Sequence, residues 1–142
     1  MSLTAEQREF LDKNRSAAMI TVGGDGMPKA VRVGVALVDG KIWSSGTQER
    51  ERTRRLRRDP RCTLFVFEPG WNALTLETTV ELLEGDAVAD QSVRLFRVMQ
   101  ARPEGPLMWF GKELDEDAFR QAMIEGRRLI YEFHVNKAYG LP

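Results

Sequence analysis

Lys29-Ala30-Val31-Arg32-Val33-Gly34-Val35-Ala36-Leu37-Val38-Asp39-Gly40-Lys41-Ile42-Trp43-Ser44-Ser45 is the stretch on which the fold turns. Val31, Val33, Val35 and Leu37 fall on one side of an extended chain, and Ala30, Arg32, Gly34 and Ala36 fall on the other. This is the period of two that a strand imposes. Asp39-Gly40 is the dipeptide of a type I′ turn, whose two central residues need positive φ, so residues 41–45 are predicted to run back antiparallel.

Working outward, residues 17–22 are β-rich and end at Gly23-Gly24-Asp25-Gly26, a turn cluster that pairs them with the strand over residues 29–38. Thr4 followed by Gln7 is a capping box, with Phe10 and Leu11 on the apolar side of a short helix to about residue 14. Downstream, an arginine-rich helix stops at Asp59-Pro60, and residues 62–67 read as a buried strand turned by Pro69-Gly70. A longer strand over residues 72–83 should bend or bulge near Glu77. Helices are predicted over 90–102, broken by Pro103-Glu104-Gly105-Pro106, and over 115–127, and a last strand over 129–135. Six strands in meander-like order with short helices predict a mainly β fold, a six-stranded antiparallel barrel with peripheral helices.

At 142 residues with 42% hydrophobic content, the chain fits one domain over residues 1–142. A net charge of zero and a pI near 6.6 argue against a nucleic-acid or membrane-surface protein. Charge is nonetheless focused. Arg50, Arg52, Arg54, Arg55, Arg57, Arg58 and Arg61 crowd one segment against Glu49, Glu51 and Asp59, while Glu113, Asp115, Glu116 and Asp117 form an acidic group elsewhere. The lone cysteine, Cys62, excludes an intrachain disulfide framework, fits a reducing compartment and reads as a small buried hydrophobe. The polar N-terminus carries no signal-peptide pattern and no apolar run spans a bilayer, so a soluble cytoplasmic protein is expected.

One histidine and one cysteine do not make a zinc site of the usual kind, and no HExxH or CxxC spacing occurs, so no metal is expected. His134 reads as structural or surface, and neither Ser44 nor Ser45 has a visible partner base. With no Walker or GxGxxG motif either, any reactive group should come with a cofactor. The arginine row has two readings: a phosphate site at a helix start, or a solvated face with pairs such as Glu51 and Arg55. Gly34 and Ala36 likewise either leave room for a flat ring or fit beneath the N-terminal helix. A ring on the strands and its phosphate on the arginines would form one site.

The order of these segments, from Ala18-Met19-Ile20-Thr21-Val22 through Gly26-Met27-Pro28 and Asp39-Gly40-Lys41-Ile42-Trp43-Ser44-Ser45 to Leu56-Arg57-Arg58-Asp59-Pro60-Arg61, resembles the pyridoxamine 5′-phosphate oxidase-like split β-barrel family. It looks closest to the branch that uses the deazaflavin coenzyme F420 in place of FMN, and the closing Tyr139-Gly140-Leu141-Pro142 is similar to the tail of that branch. The resemblance implies a homodimer with cofactor sites at its interface and a hydride passed from reduced deazaflavin to a small aromatic or conjugated acceptor. It implies Val33, Gly34 and Val35 near the ring, Ser44, Ser45, Gly46 and Thr47 near the linking chain, and Arg50 and Arg52 near the phosphate. Arg52 stands where many relatives carry Lys. Trp71, Trp109, Phe110 and Tyr139 are candidates for stacking on an acceptor, Tyr139 or water could supply a proton, and no catalytic residue is assigned. Arg54 and Arg57 would suit a polyglutamyl tail. The alternatives are an FMN-dependent oxidoreductase or flavin-binding protein on the same fold, and a non-enzymatic dimeric module whose basic helix binds a nucleic acid or an acidic partner.

Overall fold

The Asp39-Gly40 turn forms as its residues dictate, with φ of 50° and 77°, but the strand feeding it is two strands. In the computed structural model, which describes residues 2–141, the order is α1 (Ala5–Lys13), β1 (Ser16–Val22), β2 (Pro28–Gly34), β3 (Ala36–Val38) and β4 (Lys41–Thr47). Then come α2 (Glu51–Arg58), β5 (Arg61–Phe67), β6 (Ala73–Leu83), α3 (Val88–Met99), β7 (Leu107–Trp109), β8 (Lys112–Leu114), α4 (Glu116–Glu125) and β9 (Arg128–Tyr139). Met1 and Pro142, included above in the N-terminal segment and the closing tail, lie outside the described residues.

The main antiparallel sheet has seven strands in the order β2-β1-β5-β6-β9-β4-β3, rather than six in a meander. The extra strand comes from the break at Val35. β2 pairs with β1 at one edge and β3 pairs with β4 at the other, so one residue of chain joins opposite edges. That is possible only because the sheet curls until its edges meet, a split barrel. The seam is pinned where the edges meet by Ser44 Oγ, which donates to the Gly34 carbonyl at 2.6 Å, while the Val35 N–H extends the β1–β2 pairing by donating to the Arg15 carbonyl at 2.8 Å. Alternation survives the break. Val33 and Val35, with Val31 and Leu37, join the inner core with Met19, Leu64, Leu76, Tyr131 and Phe133, whereas Ala36 and Val38 pack outside with Trp43, Leu95 and Ile130 under α3.

The capping box at Thr4 and Gln7 is formed. α3 and α4 lie close to their predicted spans, α4 capped by the Asp115 side chain. The β7–β8 hairpin was not predicted, since its strands are three residues each and its turn is Phe110-Gly111, both at positive φ. The irregularity expected near Glu77 is present, but the extra residue belongs to the facing strand: Glu77 faces Lys137 and Thr78 faces Val135, leaving Asn136 as the bulge. β9 accordingly runs on to Tyr139 instead of ending at Val135. Among the described residues no helix is long and apolar enough to cross a membrane.

Ser44 is 1% exposed, so Ser44→Ala leaves the Gly34 carbonyl short of its donor inside the wall. We expect a loss of about 1–3 kcal/mol in unfolding free energy, read as a lower urea midpoint at unchanged slope. A wild-type midpoint would show that the seam does not depend on this bond.

Candidate functional site

The C-terminal end of β4 and the start of α2 are tied together by a buried relay. Gly46 leaves room for the Tyr131 ring, into which any Cβ at that position would collide. Thr53 Oγ1 donates its single proton to the Thr47 carbonyl at 2.7 Å, so the Tyr131 hydroxyl must be the donor in the 2.5 Å contact between Tyr131 and Thr53 Oγ1. This relay, with Leu56 buried in the core, fixes how α2 presents its arginines.

Most of those arginines are already engaged. Arg54 pairs with Glu51 at 2.8 Å, Arg57 with Glu84 at 2.5 Å, and Arg61 with Asp59 at 2.7 Å. Arg55 Nε donates to Thr21 Oγ1 at 2.8 Å and Arg58 to the Val22 carbonyl at 3.1 Å. The expected Glu51–Arg55 pair does not form, because Arg54 takes Glu51 and Arg55 turns to β1. Arg50 and Arg52 are what remains. Arg50 has no side-chain partner among the described residues and caps α2 without a side-chain hydrogen bond. Arg52 lies 5.7 Å from the centre of the Tyr131 ring, and its Nε is buried with no hydrogen-bond partner.

A third cation joins them, one that the sequence reading missed. Arg128, the first residue of β9, donates to Ser45 Oγ at 2.8 Å and stacks 5.1 Å from the Trp109 ring centre. Burial, then the charges of Arg50 and Arg52, holds its guanidinium below the usual arginine range. Burial also lowers Arg52, opposed by Tyr131 and reinforced by Arg50. A guanidinium stays protonated regardless, and in both residues the shift comes first from burial, with the neighbouring cations adding to it. The neighbouring acids do not relieve it: Glu49 is taken by Arg127, Glu51 by Arg54 and Glu84 by Arg57. A pocket of about 440 Å³ opens beside Arg128, lined also by Gly85, Val88, Met123 and Ile124. Extending the alternation of β9 back by one step from Ile130 would have found Arg128.

The other predicted residues are dispersed. Ser45 is half-buried on the outer face with Arg128, whereas Ser44 and Gly46 are buried toward the core. Thr47 is half-buried and contributes its carbonyl to the relay. Val33 and Val35 are core residues. Gly34 lies beneath the end of Met99, against which a Cβ would clash, so α3 and not the N-terminal helix fills the space there. Tyr139 is at the other end of β9, about 36 Å along the strand from Arg128 at 3.3 Å per residue, with its hydroxyl donating to Glu77 Oε2 at 3.0 Å. That contact, then burial, raises the Tyr139 pKa. Of the four stacking candidates, Trp109 is beside the arginines; Trp71 and Phe110 are fully or largely exposed.

Residues 3–140 match the family described as pyridoxamine 5′-phosphate oxidase. A conserved hypothetical protein from Mycobacterium tuberculosis has the same fold, with a TM-score of 0.75 at 21% identity over 99% of this chain and 85% of that one. An F420 reductase gives 0.71 at 17% identity over 96% and 98%. The heme storage protein HutZ from Vibrio cholerae gives 0.67 at 15% identity over 99% and 96%. At such identities the likeness is one of fold.

Cys62 stands apart from this chemistry. Burial pushes its thiol up to about 12, so at pH 8 almost none is thiolate, the form that alkylates. Iodoacetamide should therefore leave Cys62 unmodified in the native protein at pH 8 and label it once urea unfolds the chain, as read by intact mass. Rapid labelling of the folded protein would contradict the burial.

Proposed function

Since the chain belongs to the pyridoxamine 5′-phosphate oxidase family, we propose that it is a cofactor-dependent oxidoreductase that holds the anionic tail of a flavin-type cofactor on Arg50, Arg52 and Arg128. The observation that carries this reading is the partnerless, buried Nε of Arg52 among three cations that no carboxylate neutralises. Desolvating a guanidinium and leaving a donor unbonded is costly, and a phosphate oxygen accepting from it removes the cost. The uncapped start of α2 adds backbone N–H groups to the same spot.

The cofactor we propose is reduced F420, which supplies a hydride from its deazaflavin ring to a small conjugated acceptor. Three cations, Arg50 at the N-cap of α2, Arg52 in its first turn and Arg128 on β9, suit a tail with several anionic groups better than a single terminal phosphate. Arg54 and Arg57, expected above to serve that tail, are spent on Glu51 and Glu84, so Arg128 takes their place. The protein's own part is to bind, orient and exclude water. Trp109, held edge-on by Phe96 and Phe119 with ring centres 5.5 Å and 5.7 Å away, offers a rigid wall beside Arg128.

A homodimer belongs to the same proposal. Phe65 is 41% exposed on the outer side of β5, in a cross-strand row with Arg32, Ala18, Thr75 and Tyr139, while α3 and α4 pack on the opposite flank of the sheet. A second copy covering this row would bury it, and it is also the way Tyr139 could reach an arginine cluster. We place the protein in the cytoplasm on the same reading.

Equilibrium titration with F420 and with FMN, followed by tryptophan fluorescence, tests the cofactor. We expect F420 to bind more tightly, and Arg52→Ala and Arg128→Ala each to weaken it by about 10–100-fold, the effect of one charge-assisted hydrogen bond. A preference for FMN would move the protein to the flavin-dependent reading, and wild-type affinity in both variants would refute the arginine site. For the assembly, Phe65→Glu should sediment as a monomer and lose cofactor binding. A variant that stays dimeric would put the interface elsewhere.

A further inference from the structure

A second constellation lies on the outer face of the sheet. Glu132 of β9 faces Glu81 of β6 in register, and His134 follows two residues later on the same face of β9. His134 Nε2 is 3.0 Å from Glu81 Oε1 and 3.1 Å from Glu132 Oε2, and the three ligand atoms all lie within 4.8 Å of one another. The site is about 13 Å along β9 from Arg128 at 3.3 Å per residue, so it is distinct from the arginine cluster.

Glu132 is 7% exposed, and neither it nor Glu81 has a lysine or arginine ion-pair partner among the described residues. A buried carboxylate without a cation is costly. His134 Nε2 carries at most one proton, yet it faces two carboxylate oxygens. The other oxygen of Glu132 is already committed: Oε1 accepts from the indole Nε1 of buried Trp43 at 2.8 Å, which aims Oε2 at the histidine. Metal sites hold their ligating carboxylates in this way, through a hydrogen bond to the atom that does not coordinate.

The spacing also fits an ion. Tetrahedral bonds of about 2.0–2.1 Å place neighbouring ligand atoms roughly 3.3 Å apart, close to the two separations from Nε2. We propose that Glu81, Glu132 and His134 bind a divalent transition ion, Zn²⁺ being the natural choice for one imidazole and two carboxylates, with a fourth position open to water. The ion joins β6 to β9 across the sheet and supplies the positive charge that buried Glu132 lacks. Such a site differs from the expectation of no metal, which rested on the single histidine and cysteine and on motif spacing, neither of which registers ligands brought together across strands.

The test is a Zn²⁺ titration of the purified protein, by calorimetry and by fluorescence of Trp43, whose indole reports on Glu132. We expect one ion per chain and a rise in Tm, because an ion that binds only the folded state stabilises it. Glu81→Gln and His134→Gln alter side chains that are more than half exposed and should fold normally. Each should weaken Zn²⁺ binding by more than tenfold, and Trp43→Phe, which keeps a ring but removes the N–H, by about 10–100-fold. Absence of Zn²⁺ binding, or equal affinity in wild type, Glu81→Gln and His134→Gln, would overturn the proposal. An identical response to Ca²⁺ would do the same, since it would mark loose attraction to surface carboxylates.

Discussion

Val35 is the single residue between a strand at one edge of the seven-stranded sheet and a strand at the other, and the rest of the structure depends on holding those edges together. Its N–H goes to Arg15, and the carbonyl just before it takes the Ser44 hydroxyl. Once the seam is closed, β4 must run beside β9, and the relay from Gly46 through Tyr131 and Thr53 sets the angle of α2. The arginines therefore inherit their positions from a contact made a strand away. A flat sheet with the same pairings would leave α2 no barrel end to plug with Leu56.

Within that frame the electrostatics are selective. A row of seven arginines reads as uniform in sequence, yet five find acceptors in this chain, and the acids near them are consumed in doing so. Arg50 and Arg52 are left over, and Arg128 arrives from a different strand to a site already positive. Bringing three like charges together in partly buried positions is unfavourable for the isolated fold. Such an arrangement makes physical sense as a site whose partner is an anion, and the energy it stores returns when the anion binds.

Much of this was legible in the sequence, and the failures have identifiable causes. Alternation in the Val31 to Leu37 segment correctly separated the residues of the two faces, because the period of two is a local property of an extended chain. It could not reveal the break at Val35, because a strand that changes partners keeps its alternation. The Asp39-Gly40 turn and the Thr4 capping box were readable because their chemistry is contained in four residues. The β7–β8 hairpin was not, with strands three residues long and a Phe-Gly turn. For the site, Arg50 and Arg52 were legible as charge density, although which of the seven arginines stay free is decided partly by the nearby Glu51 and Asp59 and partly by Glu84, Thr21 and Val22, distant in sequence. Arg128 and the Glu81–Glu132–His134 group depend wholly on cross-strand register.

β9 shows how one strand serves several purposes. Leu129, Tyr131, Phe133 and Val135 point into the core, so Arg128, Ile130, Glu132 and His134 face outward, placing the cation of one site and two ligands of the other on a common face. With unbroken alternation Tyr139 would also point inward. Asn136 prevents this: as the extra residue opposite the Glu77–Thr78 step, it shifts the phase by one, so that Ala138 joins the core and Tyr139 turns out to meet Glu77. A one-residue bulge thus decides whether the aromatic ring near the chain's end fills the barrel or is offered to whatever covers the sheet.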